Sequence, residues 1–318
     1  MNSAHRGVLA LAGGVGGAKL AAGLQHAVGD ALTVVVNTGD DFEHLGLHIS
    51  PDLDTVMFTL GGVANKSQGW GLEGETWNFI AQLERLDGPA WFRLGDKDIA
   101  NHVLRTSRLA DGHSLSRVTK ELCAAYGVRA KLLPMSDDPV RTIVHSGKLA
   151  IPFQEYFVKL QCGPRVDRLE FRGADTARMN ELLGSIAPGS LNAVVFCPSN
   201  PYLSIDPILS ISGFSEWLRR LGAPVVAVSP IVAGTAIKGP AAKIMRELGH
   251  EPSAKTVAAH YRGIIDGLLI DSSDSELQSE IQALGIKVRV TNTVMKSDAD
   301  RITLAEESLR FAREVAKR

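Results

Sequence analysis

Residues able to do chemistry gather in a few short stretches. Leu11-Ala12-Gly13-Gly14-Val15-Gly16-Gly17-Ala18-Lys19 follows an apolar run and opens a helical pattern. Glycines let backbone N–H groups approach an anion closely, and a helix N-terminus adds a favourable dipole, so this spacing points to phosphate. It is not a Walker loop, because Ala18 and Leu20 replace the second glycine and the magnesium-binding Ser/Thr. Nor is it a complete dinucleotide fingerprint, since Lys19 stands at the third glycine. Without a ligand it reads as a tight strand-to-helix turn.

Asn37-Thr38-Gly39-Asp40-Asp41 lies just past a second apolar run, where open α/β sheets place their ligands, and its adjacent carboxylates suit a divalent cation. Pro51-Asp52-Leu53-Asp54-Thr55 follows, and Asp54 either turns toward that cation or caps a helix. Taken alone the aspartates favour capping; with three carboxylates, Asp40, Asp41 and Asp54, close to a phosphate loop, the reading becomes magnesium. His44 and His48 have the spacing of two helical zinc ligands, but Leu45 replaces the metalloprotease glutamate and no third ligand is evident. His48 could instead bond a substrate. Three later loops are polar: Pro134 to Pro139 with Asp137 and Asp138, Pro198-Ser199-Asn200-Pro201, and Ser229 through Gly234 and Lys238 to Ala241. The first alone reads as a proline-fixed turn. Neither Ser210 nor Ser229 has a nucleophile elbow.

The elements that must carry these loops alternate short Val/Ile-rich runs with segments of helical period. Strands are expected at Val8 to Leu11, Thr33 to Val36, Asn192 to Phe196, Pro224 to Val228, Gly267 to Ile270 and Lys287 to Val290. Helices are expected at Ala18 to Ala27, Pro240 to Leu248, Ser253 to Ile264 and Ile302 to Lys317. The middle differs, with helical patterns at Thr76 to Leu86, Ile99 to Arg108 and Ser116 to Tyr126. A hairpin then runs from Val140 to His145 and Lys148 to Ile151, turning at Ser146-Gly147. The fold class is therefore α/β, Rossmann-like, a mostly parallel sheet with helices on both faces and a smaller inserted lobe. The core takes residues 1–69 and 171–318, the lobe 70–170. The glycine, Asn37, Pro198 and Ser229 loops then fall at one end of the sheet, as a nucleotide crevice requires.

The 318 residues carry 34 Lys+Arg against 35 Asp+Glu, so no net field draws the chain to nucleic acid or an anionic membrane. Cys123, Cys162 and Cys197 stand far apart, which excludes a disulfide framework and a zinc ribbon and suits a reducing cytoplasm. Gly, Pro or a charge breaks every apolar run short of a membrane span. His5 and Arg6 ahead of Gly7 to Leu24 imitate a secretory leader, but the glycines and Lys19 spoil its helical core.

An ordered set of motifs resembles the 2-phospho-L-lactate transferases of deazaflavin coenzyme biosynthesis over nearly the whole chain. It comprises the Gly-Gly-x-Gly-Gly opening, Asn37 to Asp41, Ser50 to Val56, Leu94-Gly95-Asp96-Lys97-Asp98, Leu133 to Val140, Pro198 to Pro201 and Val228 to Ile231. The resemblance implies a transferase acting on Fo, the hydroxy-deazariboflavin precursor, and on a guanosine diphosphate carrying a small phospho-acid. Attack by the terminal ribityl hydroxyl of Fo would give dephospho-coenzyme F-420 and release GMP. It further implies Mg2+ at the catalytic Asp40, Asp41 and Asp54, and a diphosphate cradled by Gly14, Gly16, Gly17 and Lys19 beside Asn37 and Thr38. Guanosine would lie on Ser199, Asn200, Ser229, Gly234 and Lys238. Asp137, Asp138 and His48 would border the deazaflavin, with Trp77 either stacking on it or serving as a core aromatic. A homodimer is implied too. Phospholactate, phosphoenolpyruvate and phosphoglycerate stay open as the acid, since they differ by small groups at one end of the donor. The rival readings are a nucleotide-sugar-binding regulator of the gluconeogenesis-factor type and a nucleoside diphosphate hydrolase.

Overall fold

The computed structural model describes residues 6–316, so His5 of the leader-like start and Lys317 of the expected last helix lie outside it. Seven strands are β1 (Gly7–Ala12), β2 (Leu32–Val36), β3 (Lys131–Pro134), β4 (Leu191–Phe196), β5 (Val225–Val228), β6 (Gly267–Asp271) and β7 (Lys287–Thr291). They pair in parallel throughout, in the order β3-β2-β1-β4-β5-β6-β7. Alternation sorts their side chains onto two faces. Val8, Ala10, Ala12, Val34 and Val36 enter one core; Leu9, Leu11, Val35, Val194 and Phe196 enter the other. Because both faces are covered, the strands read as unbroken apolar runs.

The helices that matter are α1 (Gly14–Val28), α2 (Pro51–Leu60), α3 (Asn78–Arg85), α4 (Asp96–Ala110), α5 (Leu115–Ala125), α6 (Ala241–Glu247), α7 (Ala254–His260) and α8 (Asp298–Ala316). Helices α1, α2, α5 and α8 cover the first face, α6 and α7 the second. Helix α1 begins at Gly14, inside the glycine run and earlier than the expected Ala18.

Strand β3 falls inside the stretch expected to be the inserted lobe, so that lobe is not continuous between 70 and 170. Its Lys-Leu-Leu-Pro run is short and ends on proline, which reads as a turn; at the sheet's edge the missing N–H is tolerated. The insertion is thus two pieces. Helices α3 to α5 precede β3, and a three-stranded antiparallel sheet follows it, with Arg141–Ser146 between Leu149–Pro152 and Arg168–Arg172. Ser146 pairs with Leu149, placing the turn at Gly147-Lys148, one residue later than expected, with Gly147 at φ 57°. The third strand, Arg-Leu-Glu-Phe-Arg, is too charged to announce itself. Among the described residues no helix is long and apolar enough to cross a membrane.

The strand order reverses between β1 and β4, the switch point at which doubly wound sheets open a crevice. The glycine loop leaves β1 there and Pro198-Ser199-Asn200 leaves β4.

Candidate active site

A cavity of about 840 Å³ occupies this crevice, walled by Gly13, Gly14, Gly16, Lys19, Asp40, Asp52, Ser199, Asn200, Ser229 and Lys238. The inserted pieces add Trp91, Phe92, Phe153 and Phe157.

Ser199 joins the two crevice loops: its Oγ accepts from the Gly13 N–H at 3.0 Å and donates to the Gly13 carbonyl at 2.8 Å. A side chain at Gly16 or Gly17 would collide with the Pro198 carbonyl or with Ser199 Oγ, so these glycines permit that contact. Gly17 therefore packs behind the wall and does not line it. Gly14, at φ 60°, donates its N–H to Asp52 Oδ1 at 2.7 Å. With Gly13 and Gly14 engaged, the Val15 and Gly16 amides on the wall are left for an anion at the start of α1. Lys19 Nζ donates to the Met295 carbonyl and Lys238 Nζ to the Gln68 carbonyl. Burial, then the positive charges of Arg301 and Lys238, hold the Lys19 ammonium below its usual range.

Opposite stands an acidic pair. Asp52 accepts from Gly14 and from Asn37 Nδ2 at 3.0 Å, yet burial pushes its carboxyl up to about 6. Burial and then Asp52 itself push Asp40 well above the carboxylate range, and Asp40 Oδ1 has no hydrogen-bond partner among the described residues. Asp41 accepts from Ser50 Oγ at 2.8 Å and contacts His48 Nε2 at 3.2 Å; its Oδ1 is likewise unpartnered. Neighbouring buried carboxylates, two of them with an unpartnered oxygen, fit a hard cation's oxygen-rich donor set.

Asp54 also lines the cavity, but its oxygens are already engaged. Residues two apart on a helix lie about 200° apart around its axis, so Asp52 and Asp54 leave α2 on different sides. Both oxygens of Asp54 accept from Arg105 of α4, with Nη1 at 3.0 Å from Oδ2. Arg105 is only 1% exposed and reaches His102 Nδ1 at 3.2 Å. Ligand atoms of Asp54, Asp98 and His102 cluster within 4.8 Å, but the guanidinium already supplies the positive charge there.

Several expected site residues do not line the cavity. Asn37 braces Asp52 from behind, Thr38 is buried beside it in the chain, and His48 sits on a hairpin strand against Asp41. His44, across that hairpin's turn, packs edge-on to Trp91 at 5.1 Å. Asp137 accepts from the Ser116 N–H and Oγ, and Asp138 from Arg178, so both are tied to the protein's own groups. Gly234 follows Ala233, whose N–H is held by Asp274. Trp77 packs against Trp70 and under Arg93.

Ser229 is on the wall, but its Oγ closes its own turn, accepting from the Ile231 N–H and donating to the Ile231 carbonyl. Asn200 Oδ1 accepts from the N–H groups of Tyr202 and Leu203, and its buried Nδ2 has no partner among the described residues. Sequence alone does not single out the aromatic wall, Asp52 as the partner of Asp40, or the Asp98–His102–Arg105 set, though Asp52 and Asp98 belong to the Ser50 to Val56 and Leu94 to Asp98 motifs.

Against known proteins, the family described as 2-phospho-L-lactate transferase CofD matches residues 8–310. A phosphoenolpyruvate transferase of Streptomyces griseus is 42% identical over 316 residues, covering 97% of this chain and 99% of that protein. A 2-phospho-L-lactate transferase of Methanococcoides burtonii is 38% identical over 291 residues, covering 91% and 94%. A crystal structure from Bacillus halodurans, of a member of the UPF0052 family, shares the fold at TM-score 0.63 with 17% identity, covering 97% and 99%.

Proposed function

From the membership of this chain in the 2-phospho-L-lactate transferase CofD family, which makes it a phospho-group transferase of coenzyme F-420 biosynthesis, we propose a specific reaction. A guanosine-diphosphate donor gives its phospho-acid to the terminal ribityl hydroxyl of Fo, with Mg2+, and GMP leaves. The acid we assign is enolpyruvyl phosphate, on the 42% identity to the phosphoenolpyruvate transferase of Streptomyces griseus.

One observation carries the reading: a single cavity joins a basic, amide-lined end to a buried carboxylate pair, in which Asp40 Oδ1 has no partner among the described residues, and to an aromatic wall. The diphosphate lies on the Val15 and Gly16 amides with Lys19 and Lys238, where helix dipole and ammonium charge both favour it. Asp40 and Asp52 hold the cation, with Asp41 behind them. When bound, Mg2+ neutralises the charge that develops on the diphosphate as GMP leaves. Asp54, matched to Arg105, braces α4 against α2 instead of serving as a ligand. Trp91, Phe92 and Phe153 offer the flat apolar surface a deazaflavin ring needs, in place of the expected Asp137 and Asp138.

The test is mass spectrometry of the protein with Mg2+, Fo and, separately, the three guanosine-diphosphate donors. A deazaflavin phosphodiester and GMP, fastest with the enolpyruvyl donor, are expected. GMP without the phosphodiester would indicate a hydrolase, and nucleotide binding without any product a regulator.

A further inference from the structure

Helices α2 and α4 meet through four buried side chains that the reaction above leaves unused on their cavity side. Arginine carries only donors, so Arg105 Nη1 lying 3.2 Å from His102 Nδ1 makes that nitrogen the acceptor. The ring proton then sits on Nε2. Among the described residues that nitrogen makes no hydrogen bond, lying 3.4 Å from Asp98 Oδ2, and Asp98 Oδ1 also has no partner. Both residues line the cavity, and they are 1% and 9% exposed.

A metal does not suit this cluster. Arg105 occupies both oxygens of Asp54 and the lone pair of His102 Nδ1, and Nε2 holds a proton. What remains is an N–H donor beside a carboxylate acceptor, and buried polar groups of this kind gain most from a partner that is donor and acceptor at once. A hydroxyl is such a group.

We propose that Asp98 and His102 form a hydroxyl-binding subsite for the polyhydroxylated chain of the acceptor. Arg105 and Asp54 act as positioning residues, fixing the ring's tautomer and orientation. The proposal rests on the reading of Fo as acceptor. It makes the subsite a determinant of specificity: a chain without hydroxyls leaves both groups unpaired.

The experiment is a fluorescence titration of Fo, and of an Fo analogue bearing an alkyl chain in place of ribityl, into wild type, Asp98→Asn, His102→Leu and His102→Gln. Asp98→Asn and His102→Leu should weaken Fo about tenfold, the worth of a charge-assisted hydrogen bond, and leave the alkyl analogue unchanged. His102→Gln, which restores an N–H donor, should recover most of the loss. GDP binding, measured by calorimetry on the same variants, should stay within about twofold of wild type.

Unchanged Fo affinity in Asp98→Asn and His102→Leu overturns the subsite, as does a parallel loss for Fo and the alkyl analogue. A loss confined to GDP overturns it by assigning the hydroxyl to the donor's ribose. If one variant fails to fold, the other carries the same comparison. Wild type that shows the Fo pattern yet forms no product contradicts the transferase reading and leaves the subsite standing; wild type that does not bind Fo overturns both.

Discussion

Two aspartates two residues apart on α2 meet opposite fates. Asp54 finds its countercharge inside the chain, in Arg105, and both side chains are buried, with Asp54 at the cavity wall. Asp52 faces Asp40, a second buried carboxylate, and has only the Gly14 amide and the Asn37 side-chain amide to steady it. Burial cost is similar on the two sides, but only the Arg105 side has a built-in cation. The difference separates brace from site: a buried charge that is already matched holds helices together, and one left unmatched is a place for a ligand.

The comparison is broken most severely at Asp40. Asp40→Asn should lower kcat on the order of a thousandfold, since it removes part of the charge stabilisation of the transition state. A loss under about tenfold in GMP release would place the cation elsewhere. The next effect is on stability. Arg105→Met leaves Asp54 buried and unpaired and should cost about 3–5 kcal/mol in denaturant unfolding. Without divalent ions, Asp52→Asn should leave Tm unchanged or raise it, because it relieves repulsion from Asp40, whereas Asp54→Asn should lower it.

A smaller effect lies in pH. The Asp52 carboxyl, raised to about 6, favours the folded state below its ordinary range and loses that contribution as pH rises through about 6. Asp40 shifts the same way. Ion-free protein should therefore lose Tm between about pH 5 and about pH 7.5 relative to the double variant Asp40→Asn, Asp52→Asn, and Mg2+ should restore it at the higher pH. A magnesium-independent Tm at both values would remove the cation from the pair. The smallest effect sharpens the contrast from outside. Asp138 pairs with a largely exposed Arg178, so Asp138→Asn should change turnover by less than about twofold.

Much of the scaffold was legible. Apolar runs such as Val8 to Leu11 and Asn192 to Phe196 carry their strand identity locally, and the glycine loop announces its place between strand and helix. Strand β3 was not, because a proline that means a turn in isolation is harmless at a sheet edge. The site was half legible. Asp40 stands in a polar loop after a strand, but choosing between Asp52 and Asp54 requires knowing which side of α2 meets α4. Arg105, which decides it, lies 51 residues from Asp54. The Ser199 bonds to Gly13 span 186 residues, and nothing local in either loop encodes them. The aromatic wall is assembled from residues 91–92 and 153–157, which lie far apart in the chain and outside every motif.

The assignment of the cation to the Asp40–Asp52 pair is tested most directly by electron paramagnetic resonance of Mn2+ bound with GDP to wild type, Asp40→Asn and Asp54→Asn. Mn2+ should bind wild type and folded Asp54→Asn alike, and Asp40→Asn at least about tenfold more weakly. Mn2+ affinity lost in Asp54→Asn and kept in Asp40→Asn would contradict the account.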